Sequence, residues 1–387
     1  MSGVFETTNL VSGPMAGSQT HRLPLGRVAA ALVVSLLTFA GRAYAQNPTP
    51  PVPAAGTPSQ FFFDELDDES ATPEPNAGLT TVPQPSYRPV PGASPRVVQG
   101  IFGTITESIF GQPDANTWRP LPLSTFFSEG WNEAWVPSPN GSGGAPRQGW
   151  INAMDGNMYR LSFFTFAQAF NHDPKGNAYL GAYTIMTPLS RRLELIINVP
   201  FVIRNNAVSG LPILNPNNPT ASTTKSSSGF GDMSFTPRFL LHETKDFSFT
   251  AEMAVVTPTG TQPLAGNTTT LVPAFGFWNN PAGGWAIRGG LGLGIPMNGS
   301  GDKLISQLAL GNTFTDHDVP LFGDFTCYLS SVVNTPLANG DQTSMVLTPG
   351  MRSHLGNDWY FLAGLPVPVT NQRVGDIGMI FWLMKAW

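Results

Sequence analysis

The sequence predicts an all-β fold, a transmembrane antiparallel β-barrel of about 12 strands, preceded by a signal peptide and a disordered proline-rich linker. Three observations support this fold class. Apolar and polar residues alternate along the chain from Met158 onward. The connections between the alternating segments are short and long in turn. The last segment ends on an aromatic residue, Trp387, as expected of the closing strand of an outer-membrane barrel.

Residues 1–45 are predicted to form a secretory signal peptide. Arginines precede an apolar run from Val28 to Ala40, and the small-residue cleavage motif Ala43-Tyr44-Ala45 follows it. The run is shorter than the roughly 20 residues that a membrane-spanning helix needs. The signal begins at either Met1 or Met15.

Residues 46–96 are predicted to form a disordered, proline-rich periplasmic linker. Prolines recur between Pro48 and Pro95, and the one apolar cluster, Phe61-Phe62-Phe63, runs directly into an acidic stretch. Such a composition buries too little apolar surface to offset the entropy of ordering the chain. A docking motif at the phenylalanine cluster is the alternative interpretation.

Residues 97–157 form an irregular segment that is rich in tryptophan and interrupted by turn formers. Trp118, Trp131 and Trp135 belong to it. Because large apolar rings gain free energy by leaving water, we expect this segment to pack against another surface. It is either a plug in the barrel mouth or lumen, or a separate periplasmic element.

Residues 158–387 are predicted to form the barrel, because they contain twelve alternating segments that are each long enough to cross a bilayer at a tilt. The segments are Met158–Phe170, Asn177–Thr187, Arg191–Arg204, Phe230–His242, Asp246–Pro258, Leu271–Asn280, Gly284–Pro296, Asp302–Phe314, Pro320–Asn334, Thr343–Leu355, Asp358–Pro368 and Val374–Ala386.

The connections between these segments are sorted by length. Short ones follow the even-numbered segments, as at residues 243–245 and 356–357, and the longest ones, Asn205–Gly229 and Thr259–Thr270, follow odd-numbered segments. Outer-membrane barrels have short periplasmic turns and long outer loops. An edge strand of a soluble sheet shows the same alternation, but a soluble sheet has no reason to sort its loops. We therefore predict the cell outer membrane, with both termini in the periplasm.

The alternation also assigns the two faces of each strand. Lipid rejects a charged side chain at its midplane by roughly 2 to 4 kcal/mol, so we expect apolar residues outside and polar or small residues in the lumen. These residues line an aqueous path or cross-link a closed lumen. The predicted lumen-lining residues are Glu194, Asn198, Arg204, Asp232, Arg238, Glu252, Arg288, Asp324 and Arg352.

Three glycines, Gly290, Gly292 and Gly294, alternate along one predicted strand. They leave a strip of the lumen wall without side chains, against which another part of the chain can lie. We expect the tryptophans of residues 97–157 to be the residues that dock there.

Composition argues against several other classes of function. The charged fraction is 12% and the net charge is −5, which does not fit an electrostatic nucleic-acid footprint. Cys327 is the single cysteine, so an intramolecular disulfide is excluded. We predict no cofactor, no metal site and no enzymatic activity. Asp316-His317-Asp318 is interpreted as a charged turn rather than a metal site, and a lipid hydrolase lacks a convincing local triad.

Two motifs add a family resemblance. Gly229-Phe230-Gly231-Asp232-Met233-Ser234 begins one strand, and Val255-Val256-Thr257-Pro258-Thr259-Gly260 ends its partner. With the weaker motif Gly375-Asp376-Ile377-Gly378, they resemble the outer-membrane proteins named for the meta-pathway of phenol degradation. The resemblance covers Tyr159 to Trp387 and implies a transport function without a defined solute.

The function expected from these observations is a passive channel for small, apolar or aromatic solutes. A non-conducting barrel that anchors or scaffolds through its periplasmic tail is the alternative. The expected partners are outer-membrane lipid, the barrel assembly machinery and a small-molecule solute, with no nucleic acid.

Overall fold

The structure is a computed structural model, and it describes residues 100–170, 178–205, 227–261, 266, 268–299, 301–337, 343–370 and 377–387. The predicted signal peptide and proline-rich linker lie outside the described residues.

The described chain begins with one helix, α1 (Ile101–Phe110), and two short 3-10 turns, Ala115–Thr117 and Leu123–Thr125. Gly100 precedes α1 with a φ of 84°, a conformation that favours glycine. The helix ends where the Gly111 N–H donates to the Glu107 carbonyl at 2.8 Å. Among the described residues, no helix is long and apolar enough to span a membrane.

All remaining regular elements are strands. They are β1 (Leu161–Phe170), β2 (Ala178–Pro188), β3 (Leu193–Asn205), β4 (Ser227–Phe230), β5 (Ser234–Glu243), β6 (Phe247–Val256), β7 (Thr270–Ala282), β8 (Trp285–Pro296), β9 (Lys303–Thr313), β10 (Gly323–Pro336), β11 (Ser344–Gly356), β12 (Trp359–Gly364), β13 (Val367–Pro368) and β14 (Ile377–Ala386).

These strands form one closed antiparallel barrel, which confirms the prediction of twelve strands. Sequence neighbours pair along the sheet, β1 pairs with β14, and β10 pairs with β11, so no free edge remains among the long strands. The short strand β4 pairs with β3, and β13 continues the path of β12 along β11. Each of the twelve predicted segments coincides with one of the twelve strand positions around the barrel.

One end of the barrel, which we call the short-turn end, carries the connections at residues 189–192, 244–246, 283–284, 314–322 and 357–358. Asn357 and Asp358 both have positive φ, as a tight two-residue hairpin requires. Both ends of the barrel chain meet here, because the Trp387 N–H donates to the Arg160 carbonyl at 3.3 Å. The two ends lie at the same end of the barrel because an even number of antiparallel strands returns the chain to the side on which it started.

The outward faces of the strands carry a continuous set of exposed apolar side chains. Among them are Phe164, Phe166, Phe275, Leu308, Leu310, Leu329, Met379 and Leu383. Alternating neighbours of these residues are buried inside the barrel, as the period-two pattern predicts. The outer surface therefore matches the lipid-facing band expected from the sequence.

Strand β5 departs from the predicted alternation at a bulge between Leu240 and His242. Beyond the bulge the faces exchange, because an extra residue shifts the phase of the strand. His242 has the same parity as Asp232 and Arg238, which predicts the inner face, but its ring lies 5.9 Å from the outward Phe247 ring. Glu243 consequently turns inward and is buried.

The lumen is less polar than expected on the side of β1, β12 and β14. Phe163, Ile380 and Met384 point inward and pack with Trp150 and Ile151 in the larger apolar cluster of the described residues. The expectation that the lumen contains only small or polar residues is wrong here. The reason is that these side chains pack against Trp150 and Ile151.

Candidate functional site: the lumen and the loop that crosses it

Residues 148–157, which we call the lumen loop, enter the barrel from the short-turn end. On one wall, Ile151 donates its N–H to the Tyr328 hydroxyl at 3.1 Å and accepts a hydrogen bond from the Ser330 hydroxyl at 2.8 Å. The Asn152 side chain donates to the Thr348 hydroxyl at 2.8 Å. Because Ser330 lies midway along β10, the loop reaches the middle of the barrel.

The second half of the lumen loop contacts the opposite wall. The Thr250 hydroxyl donates to the Asp155 carbonyl at 3.1 Å, and the Asp155 carboxylate forms an ion pair with the fully buried Arg288. At Gly276 an added Cβ would lie 2.5 Å from the same carbonyl, so only glycine allows this approach. The loop is therefore held on both sides of the lumen.

A side chain from residues 97–157 does contact the glycine strip formed by Gly290, Gly292 and Gly294, but it belongs to a methionine. A Cβ added at Gly290 would lie 2.2 Å from the Met154 sulfur. At Gly292 the nearest atom would be the Ala274 Cβ at 3.0 Å, and at Gly294 it would be the Ile305 Cδ1 at 3.7 Å. The predicted docking of tryptophan rings on this strip is therefore replaced by Met154 at one of its three glycines.

Trp118, Trp131 and Trp135, the predicted plug contacts, lie at the short-turn end instead. The Trp118 indole donates to Glu243 at 3.1 Å. The Trp131 ring lies 6.2 Å from the Phe239 ring, and Trp135 lies 5.4 Å from the Arg160 guanidinium. The tryptophan that enters the lumen is Trp150, which stacks on Tyr328 at 5.1 Å.

A buried cluster of charged side chains attaches residues 97–157 to the barrel at the short-turn end. Glu243 pairs with Arg147 of the segment at 3.2 Å and with Arg191 of the β2–β3 turn at 3.3 Å. Main-chain hydrogen bonds of 2.9 Å also join Glu243 and Leu121 in both directions. Burial lowers the pKa of Arg147 and of Arg191, and the Glu243 carboxylate opposes that shift.

Three predicted lumen-lining residues form a second ion network. Arg238 donates to Glu194 at 3.0 Å and to Glu252 at 2.8 Å, and its guanidinium also reaches the Asn157 carbonyl at 3.1 Å. All three side chains point inward on neighbouring strands. Of the two roles left open for such charges, this group cross-links the wall to the lumen loop.

The remaining predicted residues are distributed along the barrel. Asn198 donates to the Thr184 hydroxyl at 2.7 Å near the middle of β2 and β3. Arg352 is buried against the Tyr360 ring at 4.1 Å. Arg204 belongs to β3, but its side chain lies outside the described residues.

Asp324 lies at the short-turn end, where it accepts a hydrogen bond from the His317 ring at 2.7 Å. That hydrogen bond raises the pKa of His317 above its usual range. The His317 ring also stacks on His354 at 4.1 Å. Within the described residues, no group of three or more His, Cys, Asp or Glu side chains is placed to hold a metal ion.

Asp232 joins the two motifs on which the family resemblance depends. Its carboxylate accepts the N–H groups of Gly260 at 3.0 Å and Gly266 at 2.7 Å. Met233 donates its N–H to the Thr259 hydroxyl at 3.0 Å and accepts the Thr257 N–H at 2.9 Å. These motifs therefore shape the connection between β6 and β7, which gives them a structural role.

A cavity of about 250 Å³ lies in the lumen beside the tip of the lumen loop. Its floor contains Ile151, Asn152 and Ala153, and the aromatic rings of Phe163 and Trp382 lie in its wall. The polar groups that line it are hydroxyls and amides, from Thr165, Thr184, Asn198 and Gln307. The lining includes no charged side chain.

Sequence reasoning missed most of these contact residues. Glu243 was assigned to a turn, and Asp155 and Ile151 lie in a stretch without periodicity. Gln307 and Trp382 follow the inward parity of their strands, so the alternation rule was sufficient to find them. Nothing in the local pattern marks the lumen loop.

Two comparisons find proteins to which this chain is similar. No curated protein matches the chain. The chain is similar to the crystal structure of an outer membrane channel from Pseudomonas putida F1, with 12% sequence identity and a TM-score of 0.43, and the match covers 62% of this chain and 99% of that one. Residues 158–346 match the family model described as "Putative MetA-pathway of phenol degradation". The matched residues include most of the barrel, and the match agrees with the resemblance that its motifs indicate.

Proposed function

We propose that the protein is an outer-membrane channel for the passive uptake of small apolar or aromatic solutes. The observation that carries the proposal is the cavity beside the lumen loop, which combines two aromatic rings with uncharged hydrogen-bonding groups. Binding pockets for small molecules typically have such a mixture of apolar walls and a few polar groups.

The size of the cavity suits a single substituted ring. A dry cavity of about 150 Å³ accepts benzene, so 250 Å³ leaves room for one or two substituents. The rings of Phe163 and Trp382 can stack on an aromatic solute, and the amides of Asn198 and Gln307 can bind its polar group. Charged solutes find no partner in this lining.

We further propose that the short turns and both termini face the periplasm. The outward apolar band is the surface that lipid would contact, and the aromatic C-terminal strand is the segment that the barrel assembly machinery would bind. In this orientation, a solute that enters from the long-loop end meets the tip of the lumen loop and the cavity beside it.

The cavity is tested by comparing two adjacent aromatic residues of β14. Replacing Trp382 with alanine removes a ring from the cavity, so we expect slower uptake of phenol-like solutes into proteoliposomes. Phe381→Ala is the matched control, because Phe381 points outward and lies 6.1 Å from the Phe361 ring. Equal uptake by Trp382→Ala and the unchanged protein would contradict the proposed site.

A non-conducting scaffold barrel is the second candidate, because the lumen loop binds opposite walls of the lumen. We expect deletion of residues 97–157 to raise the single-channel conductance of the refolded protein. Ile151→Gly is the milder variant, since it removes only the side chain at the tip of the loop. Each variant is first checked for the heat-dependent gel mobility of a closed barrel. Folded variants that conduct no more than the unchanged protein would favour the scaffold.

A further inference from the structure

Helix α1 presents its apolar face away from the barrel. Its buried residues are the polar Thr104 and Ser108, whereas Phe102 is 82% exposed and Phe110 is 77% exposed. A helix on a water-exposed surface has the opposite arrangement, with its apolar stripe toward the protein. The exposed face of α1 is therefore suited to an apolar environment.

The position of α1 places that face beside the outer wall of the barrel. Arg160 directly precedes β1, and its side chain is buried. Its guanidinium donates to the carbonyls of Ser108 at 3.2 Å and Gly111 at 2.9 Å, and lies 5.6 Å from the outward Trp387 ring. The C-terminal end of α1 is thus attached beside Trp387, which continues the outward face of Met379 and Leu383 on β14.

A second apolar element reaches the outer wall farther along the segment. Phe239 points outward on β5, and the rings of Trp131, Phe126 and Phe127 continue from it in successive contacts of 6.2, 5.4 and 5.0 Å. Phe127, the last ring in this series, is 93% exposed. This series connects the lipid-facing wall with the exposed aromatic residues of the segment.

We propose that these exposed residues form an apolar collar that inserts into the lipid leaflet at the short-turn end. The collar consists of Ile101, Phe102, Phe110, Leu123 and Phe127. Amphipathic helices with phenylalanine or leucine on one face lie in the membrane interface in this manner. Aromatic residues are also concentrated at the interfaces of membrane barrels.

Continuity with the barrel wall is the argument for lipid as the occupant. Phe239 and Trp387, which lie next to the collar, both belong to the outward surface of the barrel. The turn at residues 314–322 adds exposed apolar side chains at the same end, among them Phe322. A periplasmic protein or a second copy of the chain would have no reason to follow this surface. The proposal is independent of conductance.

The test measures whether lipid or water surrounds a single fluorophore at each of these positions in the full chain. In a Cys327→Ser background, Phe102→Cys, Phe110→Cys and Phe127→Cys are labelled with an environment-sensitive fluorophore. The refolded proteins are placed in vesicles of phosphatidylcholine and phosphatidylglycerol. Quenching is measured with nitroxide-labelled lipids and with aqueous iodide. Leu308→Cys is the lipid reference, and Lys245→Cys, in an exposed turn, is the water reference.

We expect the collar probes to lose fluorescence with nitroxide lipids to an extent close to Leu308→Cys and to resist iodide. Quenching by iodide, as for Lys245→Cys, would overturn the proposal, because the face would then be open to water. Protection from both quenchers would also overturn it and would assign the collar to contact between copies. Gel mobility of each labelled protein verifies that the barrel is closed.

Discussion

Replacing Glu243 with glutamine is expected to lower the free energy of unfolding by about 3 to 5 kcal/mol, the usual cost of removing one partner from a buried ion pair. The substitution keeps the shape of the side chain but removes its charge. Arg147 and Arg191 then stay buried without their shared counterion, since their side chains and that of Glu243 are almost fully shielded from water.

The matched control is Glu129→Gln in the same region. Glu129 pairs with Arg119, and both side chains are about a third exposed, so the expected loss is roughly 0 to 1 kcal/mol. Unfolding in urea, followed by tryptophan fluorescence in the same lipid, measures both variants. Similar losses of unfolding free energy for the two variants would mean that Glu243 does not attach residues 97–157 to the barrel.

Leu308→Arg is expected to impair membrane insertion, whereas Gln307→Arg is expected to insert normally. The two residues are adjacent on β9, but Leu308 is 53% exposed on the outer face and Gln307 lines the cavity. An arginine on the lipid side costs roughly 2 to 4 kcal/mol near the midplane, and one in the lumen avoids this cost.

The yield of heat-modifiable barrel after refolding into vesicles measures insertion. Gln307→Arg is expected to have a second effect, slower uptake of aromatic solutes, because its side chain occupies the cavity. Equal insertion of both variants would mean that the register of β9 differs by one residue, since such a slip exchanges the faces.

The sequence alone was sufficient to predict the barrel. Its twelve segments, their faces and the length of their connections follow from local rules, because alternation has a period of two and lipid excludes charge. Glu194, Arg238 and Glu252 were placed in the lumen by this reasoning alone. The partners that they bind were not predictable.

The tertiary structure decided how the lumen is filled. The bulge in β5 turns Glu243 inward, and no strong local signal marks a single extra residue. Tyr328 and Arg288 bind a loop that precedes the first strand, so their partners are distant in sequence. Alternation is a property of each strand, but these contacts exist only once the closed barrel brings its walls around the lumen loop.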